Sequence, residues 1–182
     1  MTAFHNFPRF ATTLICGACL LLSGCGSDKN DDNSPATGDG TVTWTHNGTT
    51  YTSTVGASAI VDTGDKILIT GGSADSNNIL SLSLLGINAK GPGVYELRKG
   101  SVLDNLPAGI ITLNGSNPSQ GTLFNTLYGP NTSNGTITVS QYDKVGQKLS
   151  GTFTFTAGAL PNTAAAGTQN VTNGSFSFTK FR

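Results

Sequence analysis

The chain has 182 residues, 10 basic and 10 acidic side chains, a formal net charge of zero and only 11% charged residues, so it carries no field that would gather nucleic acid or steer an acidic substrate. Its 24 glycines and its many Thr, Ser and Asn residues oppose long helices and favour strands joined by tight turns. One domain is the default at this length, and a domain of this size buries about 68–70% of its unfolded surface.

The N-terminal segment is not fold. Met1 to Arg9 holds one arginine and one histidine, and the apolar run Phe10 to Leu22 that follows is shorter than the roughly 20 residues that cross a bilayer. It reads as the hydrophobic region of a signal peptide. Leu22-Ser23-Gly24-Cys25 then resembles the bacterial lipobox, in which small residues admit the peptidase and the cysteine thiol takes a diacylglycerol before cleavage. The resemblance implies that residues 1–24 are removed and that Cys25 becomes the lipidated first residue. Cys16 and Cys19 leave with the signal, so no thiol remains for a disulfide, a metal or a nucleophile. Each buried methylene contributes about 0.8 kcal/mol, and one acyl chain holds only marginally. A diacyl group with an amide-linked third chain implies durable attachment to membrane lipid.

Residues 25–40 form a polar tether. Gly26 to Gly40, GSDKNDDNSPATGDG, has no apolar side chain larger than Ala or Pro and cannot bury enough surface to order itself. Asp28, Asn30, Asp32 and Asp39 fall at the first, third, fifth and twelfth positions of a calcium-loop pattern. Asn33 stands where that loop needs glycine, and Pro35 stiffens its middle, so a solvated spacer is the expectation. Asp28, Asp31 and Asp32 also resemble the acidic signal that follows the lipidated cysteine in surface-exposed lipoproteins of Bacteroidota. Gly26 after Cys25, in place of aspartate, resembles the pattern of lipoproteins that leave the inner membrane. Outer-membrane attachment, at the periplasmic face or the cell surface, is the expectation.

Residues 41–182 read as the β domain. Val42, Trp44 and His46 alternate, Asn47-Gly48 supplies the positive φ of a type I′ turn, and Tyr51, Ser53 and Val55 alternate back. Further strands are predicted at Ala59–Val61, Lys66–Thr70, Ile79–Leu85, Gly93–Leu97, Ile110–Leu113, Thr122–Tyr128, Thr136–Tyr142, Lys148–Ala157 and Ser175–Phe181. Asn134-Gly135 and Asn173-Gly174 are expected to open two of these strands as turns. In the last three strands Ile137, Val139, Leu149, Phe153, Phe155, Phe176 and Phe178 form one apolar face, with Thr and Ser opposite. The pattern predicts an all-β, single-domain antiparallel β-sandwich or closed barrel of about ten strands, with no substantial helix after the signal peptide.

Catalytic patterns are thin. Ala59-Ile60-Val61-Asp62-Thr63-Gly64 resembles an aspartic-peptidase loop, in which two aspartates share one proton because adjacent like charges do not both ionise. There is one copy, and Asp65 follows where that family has a small residue, so a strand-to-strand turn is the plainer reading. His46 is the only histidine after the signal, and no metal-ligand spacing surrounds it. Glu96 and Arg98 would share one side of a strand. Asp75, Asp104 and Asp143 fall in turn-forming stretches, which leaves no placed carboxylate pair for glycoside hydrolysis. No enzyme and no cofactor are expected. Trp44, Tyr51, Tyr95 and Tyr128, with Tyr142, are the rings that would stack on a sugar or dock a partner, although Trp44 in a period-two strand is more often core. A glycan or an envelope protein is the partner class these residues suggest, and a lipocalin-like small-ligand carrier is the alternative.

The order of elements carries a further resemblance. The lipobox and tether are followed by WTHNGTTYTS and LSLSLLGINAKGPGVYEL, then by GTITVSQYDKVGQKLSGTFTFTA and QNVTNGSFSF. The chain is similar in this to a group of small Bacteroidota lipoproteins classed as a domain of unknown function. Gly93-Val94-Tyr95, Gly135 to Val139 with Asp143, Ser150-Gly151-Thr152-Phe153 and Thr172 to Phe176 carry the likeness. It implies an extracytoplasmic β-fold and brings no catalytic residues.

Overall fold

The computed structural model describes residues 39–53, 55–62 and 65–181. The expected signal peptide, Cys25 and nearly all of the tether lie outside them, as do Thr63 and Gly64. Eleven antiparallel strands follow in chain order: β1 Gly40–His46, β2 Thr49–Thr52, β3 Val55–Asp62, β4 Lys66–Gly72, β5 Asn78–Leu85, β6 Gly93–Arg98, β7 Ala108–Leu113, β8 Thr122–Asn125, β9 Ser133–Asp143, β10 Lys148–Ala159 and β11 Thr168–Phe178. A single helical turn, α1 Ile87–Lys90, joins β5 to β6, and a 3-10 turn spans Thr126–Tyr128.

All eleven strands are hydrogen-bonded into one branched sheet. Its main path runs β2-β1-β11-β10-β8-β7-β5-β4-β3, and β9 pairs with β10 and then β6 to one side. β10 is the pivot because it is long enough to serve two neighbours along one edge. Lys148 to Phe155 pairs with β9, while Gly158 and Ala159 pair with β8; the opposite edge pairs with β11. The arrangement is sandwich-like and unclosed, with β2, β3 and β6 as terminal strands. The closed-barrel alternative therefore does not describe this sheet. The path folds over so that β4 comes against β1: a side chain at Gly71 would begin 3.0 Å from Val42 Cβ and 3.2 Å from Ser53 Cβ.

Alternation places the core as expected. Val42, Trp44 and His46 on β1, Ile67 and Ile69 on β4, Leu80, Leu82 and Leu84 on β5, and Ile137 and Val139 on β9 are buried. Leu149, Phe153, Phe155, Phe176 and Phe178 join them from β10 and β11. Phe153 packs against Phe155 and Phe176 with ring centroids 6.3 and 6.4 Å apart. These large side chains belong to one buried apolar cluster.

The β1–β2 hairpin forms at Asn47-Gly48, with φ of 49° and 75°, and Trp44 pairs with Tyr51 across it. The other two Asn-Gly pairs depart from expectation. Asn134-Gly135 lies inside β9 and Asn173-Gly174 inside β11. Neither opens a strand. Asn173 has φ 50° at a register shift between β10 and β11, which is the positive-φ residue of a bulge. Gly174 is required by close approach, because a Cβ there would enter the Phe153 ring. β11 consequently starts at Thr168 and ends at Phe178, seven residues before the expected start and three before the expected end. The run Thr122–Tyr128 ends its extended part at Asn125, whose side chain accepts from Leu127 N at 2.9 Å and turns the chain into the 3-10 segment.

Candidate functional site

Two hollows flank Ser133. The larger, about 570 Å³, runs along the edge of β6. Leu85 at the end of β5 and Leu106-Pro107 before β7 are among its apolar lining, with Val94, Tyr95, Glu96 and Arg98 of β6 and Ser133 and Thr136 of β9. Val94 is 54% exposed, on the face of the sheet opposite buried Tyr95 and Leu97.

The β5–β6 connection positions one of the two cations of this groove, the other being Arg98. Gly86, at φ 76°, ends β5 and starts α1; Ile87 anchors the turn in the core. Lys90 at its end then reaches back: its ammonium lies 4.5 Å from the Tyr95 ring centroid and donates to the Val94 carbonyl oxygen. Tyr95 itself donates from its hydroxyl to Gly91 O at 2.6 Å. Burial, reinforced by the negative charge of Asp65 and by Tyr142, pushes its phenol above the ordinary range.

Glu96 and Arg98 share a face of β6, as their spacing predicts. Arg98 Nε and Nη2 both lie 2.6 Å from Glu96 Oε2. The Arg98 hydrogen bond, with a smaller contribution from Ser133, holds the Glu96 carboxyl below its usual range. The pair is largely exposed, so it sets geometry more than stability.

The smaller hollow, about 250 Å³, is lined by Asn and Thr side chains of β9, β10 and β11 with the Phe155 edge. Asn134 is buried there and fully committed: Nδ2 donates to Thr126 O at 2.9 Å and Asn131 O at 2.8 Å, while Oδ1 accepts from Asn131 N at 2.9 Å. It pins the β9 entry to the 3-10 turn.

The aromatic candidates are not assembled into one surface. Trp44 is fully buried and stacks on half-buried Tyr51 at 5.5 Å. Tyr95 is 1% exposed, so neither Trp44 nor Tyr95 offers a ring to a ligand. Tyr128 is half-buried at the end of the 3-10 turn. Tyr142 stacks on Phe181 at 5.9 Å and donates to Asn88 Oδ1 at 2.6 Å. His46 is buried, with Nε2 2.8 Å from Gln169 Oε1. Asp62 ends β3 in an ion pair with Lys66 at 2.6 Å.

The turn aspartates serve their own turns. Asp75 accepts from Ser73 Oγ at 2.5 Å and from the Asn77 backbone and side chain at 3.0 Å. These bonds, Ser73 first, lower its pKa. Asp104 accepts from Ser101 N, and Asp143 from Val145 N and Gly146 N. Among the described residues no group of three or more His, Cys, Asp or Glu is gathered to hold a metal.

Sequence reasoning singled out Glu96 and Arg98 but missed Lys90, Leu106 and Ser133. The serine and leucine carry no local signal; Lys90 does, as a cation at the close of a short connection before a strand. Comparison with curated proteins and with solved structures gives no match. A family model described as a domain of unknown function, DUF6252, matches residues 38–179. That span covers nearly the whole β domain, and the chain belongs to this family.

Proposed function

We propose that the protein is a membrane-anchored extracytoplasmic lipoprotein whose β domain is a non-enzymatic binding or cell-envelope-associated module. The observation that carries this reading is the order of sequence and domain. Leu22-Ser23-Gly24-Cys25 ends an apolar run too short to span, and the family match begins at residue 38, just ahead of β1. A lipid handle on Cys25 followed by a short polar spacer suits such a domain. The anchor belongs to the outer membrane, at its periplasmic face or at the cell surface, in keeping with Gly26 and the acids after it and with the Bacteroidota lipoproteins it resembles.

The side chains support binding over catalysis. Asp75, Asp104 and Asp143 are held by their own turns, and Asp62 and Glu96 are ion-paired. The hydroxyl beside Asp75, that of Ser73, is part of the same turn and also accepts from Asn78 N at 2.9 Å. The edge groove, with apolar lining residues and a few polar groups, has the volume and make-up of a ligand site. Its partner is a glycan or an envelope protein; zero net charge argues against nucleic acid.

The test is metabolic labelling with an alkyne fatty acid and fractionation of membranes. Wild type takes the label and sediments with outer membrane; Cys25→Ala does neither. Labelling that persists in Cys25→Ala would remove the anchor.

A further inference from the structure

The edge of β6 has a geometry that deepens the binding-module reading and rests on it. Among the described residues β6 pairs with β9 alone, on one side. Lys99 N donates to Thr132 O at 3.0 Å, towards the β9 side, whereas the Val94 carbonyl meets the Lys90 ammonium and so turns away from β9. Backbone groups of a strand alternate between its two edges. The register shift between Glu96 and Arg98 opposes Thr136 and Ser133, so the extra residue is on β9 and the alternation along β6 is intact. The N–H and C=O of Val94 and Glu96 therefore point away from β9, at the free edge of a strand whose Val94 and Glu96 also line the groove. Leu85, Leu106 and Pro107 line the same groove.

We propose that this edge is a strand-addition site for an extended peptide segment of a partner protein, apolar at alternate positions and carrying a carboxylate that meets Lys90. Backbone pairing with Val94 and Glu96 supplies affinity, and alternate side chains select the sequence. The apolar set packs on the groove's apolar side chains, Val94, Leu106 and Pro107, and the other set carries the carboxylate towards Lys90. Charge selects the carboxylate: Arg98 is committed to Glu96, which leaves Lys90, the groove's other cation. Lysine over an edge also blunts indiscriminate pairing. Lys90 covers one carbonyl of the edge until an acidic side chain draws it aside, so the guard and the selector are one residue.

The test uses the full chain, isotopically labelled, in detergent micelles. The probe is an end-capped peptide of about seven residues, an ordinary strand length, alternating valine and threonine with a central glutamate. Saturable shifts centred on the Val94 and Glu96 amides are expected. N-methylating the peptide backbone, which keeps every side chain, abolishes them. Exchanging the peptide's glutamate for glutamine weakens binding about twofold to fivefold, as one exposed ion pair would, and Lys90→Met binds both peptides alike. Val94→Pro removes an outward N–H and no ladder bond, so it keeps the fold and loses the peptide; should it misfold, the methylated probe on wild type decides. Absent binding, shifts centred elsewhere, or indifference to N-methylation would overturn the proposal. The fatty-acid label on Cys25 reads the anchor separately, so either result stands without the other.

Discussion

Phe153→Ala is the sharpest probe of how β10 holds the two branches together. The ring is 4% exposed, packed on Phe155 and Phe176, and pressed into the space left by Gly174. An aromatic side chain buries about 150–250 Å², which at about 25 cal/mol/Å² amounts to about 4–6 kcal/mol as an upper bound. Truncations of this kind cost about 3–5 kcal/mol, against a total of about 5–15 kcal/mol for a domain. At about 2–4 °C per kcal/mol for a chain of this length, the Tm should fall by about 6–20 °C. Thr152 is its chain neighbour on the exposed face, opposite Thr138 and Ser175. Thr152→Ala should change stability by no more than about 0.5 kcal/mol. Thermal unfolding followed by circular dichroism compares the two. Equal losses, or a loss below about 1 kcal/mol for Phe153→Ala, would refute the placement of these faces.

Three further outcomes are expected. Gly174→Val forces a branched side chain into the Phe153 ring and should cost about 1–3 kcal/mol, much of it recovered when combined with Phe153→Ala; additive losses in denaturant titrations would count against the contact. Trp44 Nε1 is buried and has no partner among the described residues, so Trp44→Phe sheds a desolvated donor worth about 1–3 kcal/mol as it loses ring area, and a net loss above about 3 kcal/mol would contradict that account. The Asp75 carboxyl is lowered by Ser73 and Asn77. Its stabilisation is full above the ordinary aspartate pKa and is lost as pH falls through the lower folded value. Asp75→Asn should flatten the stability profile below about pH 4, and an unchanged acid limb in chemical denaturation would count against it.

Much of the β domain was legible because alternation is local. Val42-Trp44-His46 and Phe153-Phe155 declare their buried face residue by residue, and Asn47-Gly48 declares its turn. Asn173-Gly174 carries the same dipeptide, yet Phe153 from the neighbouring strand makes it an in-strand close approach. Local sequence does not distinguish the two. β10 looks like any long strand; that it serves β9 and β8 in turn is a property of pairing at a distance. The same holds for the groove. Glu96 and Arg98 were visible as a pair, while the openness of the β6 edge depends on where β5 and β7 come to lie. The aromatic rings were the natural first candidates for binding. Burial, which stabilises such rings most, took Trp44 and Tyr95 into the core.

The central claim, that this domain is held to a membrane by lipid on Cys25, is tested most directly by the intact mass and N-terminal fragments of the protein extracted from membranes. A mature chain that begins at Cys25, carrying a diacylglycerol and an amide-linked acyl chain, is the predicted result. A chain that keeps residues 1–24, or begins elsewhere with an unmodified N-terminus, would contradict it.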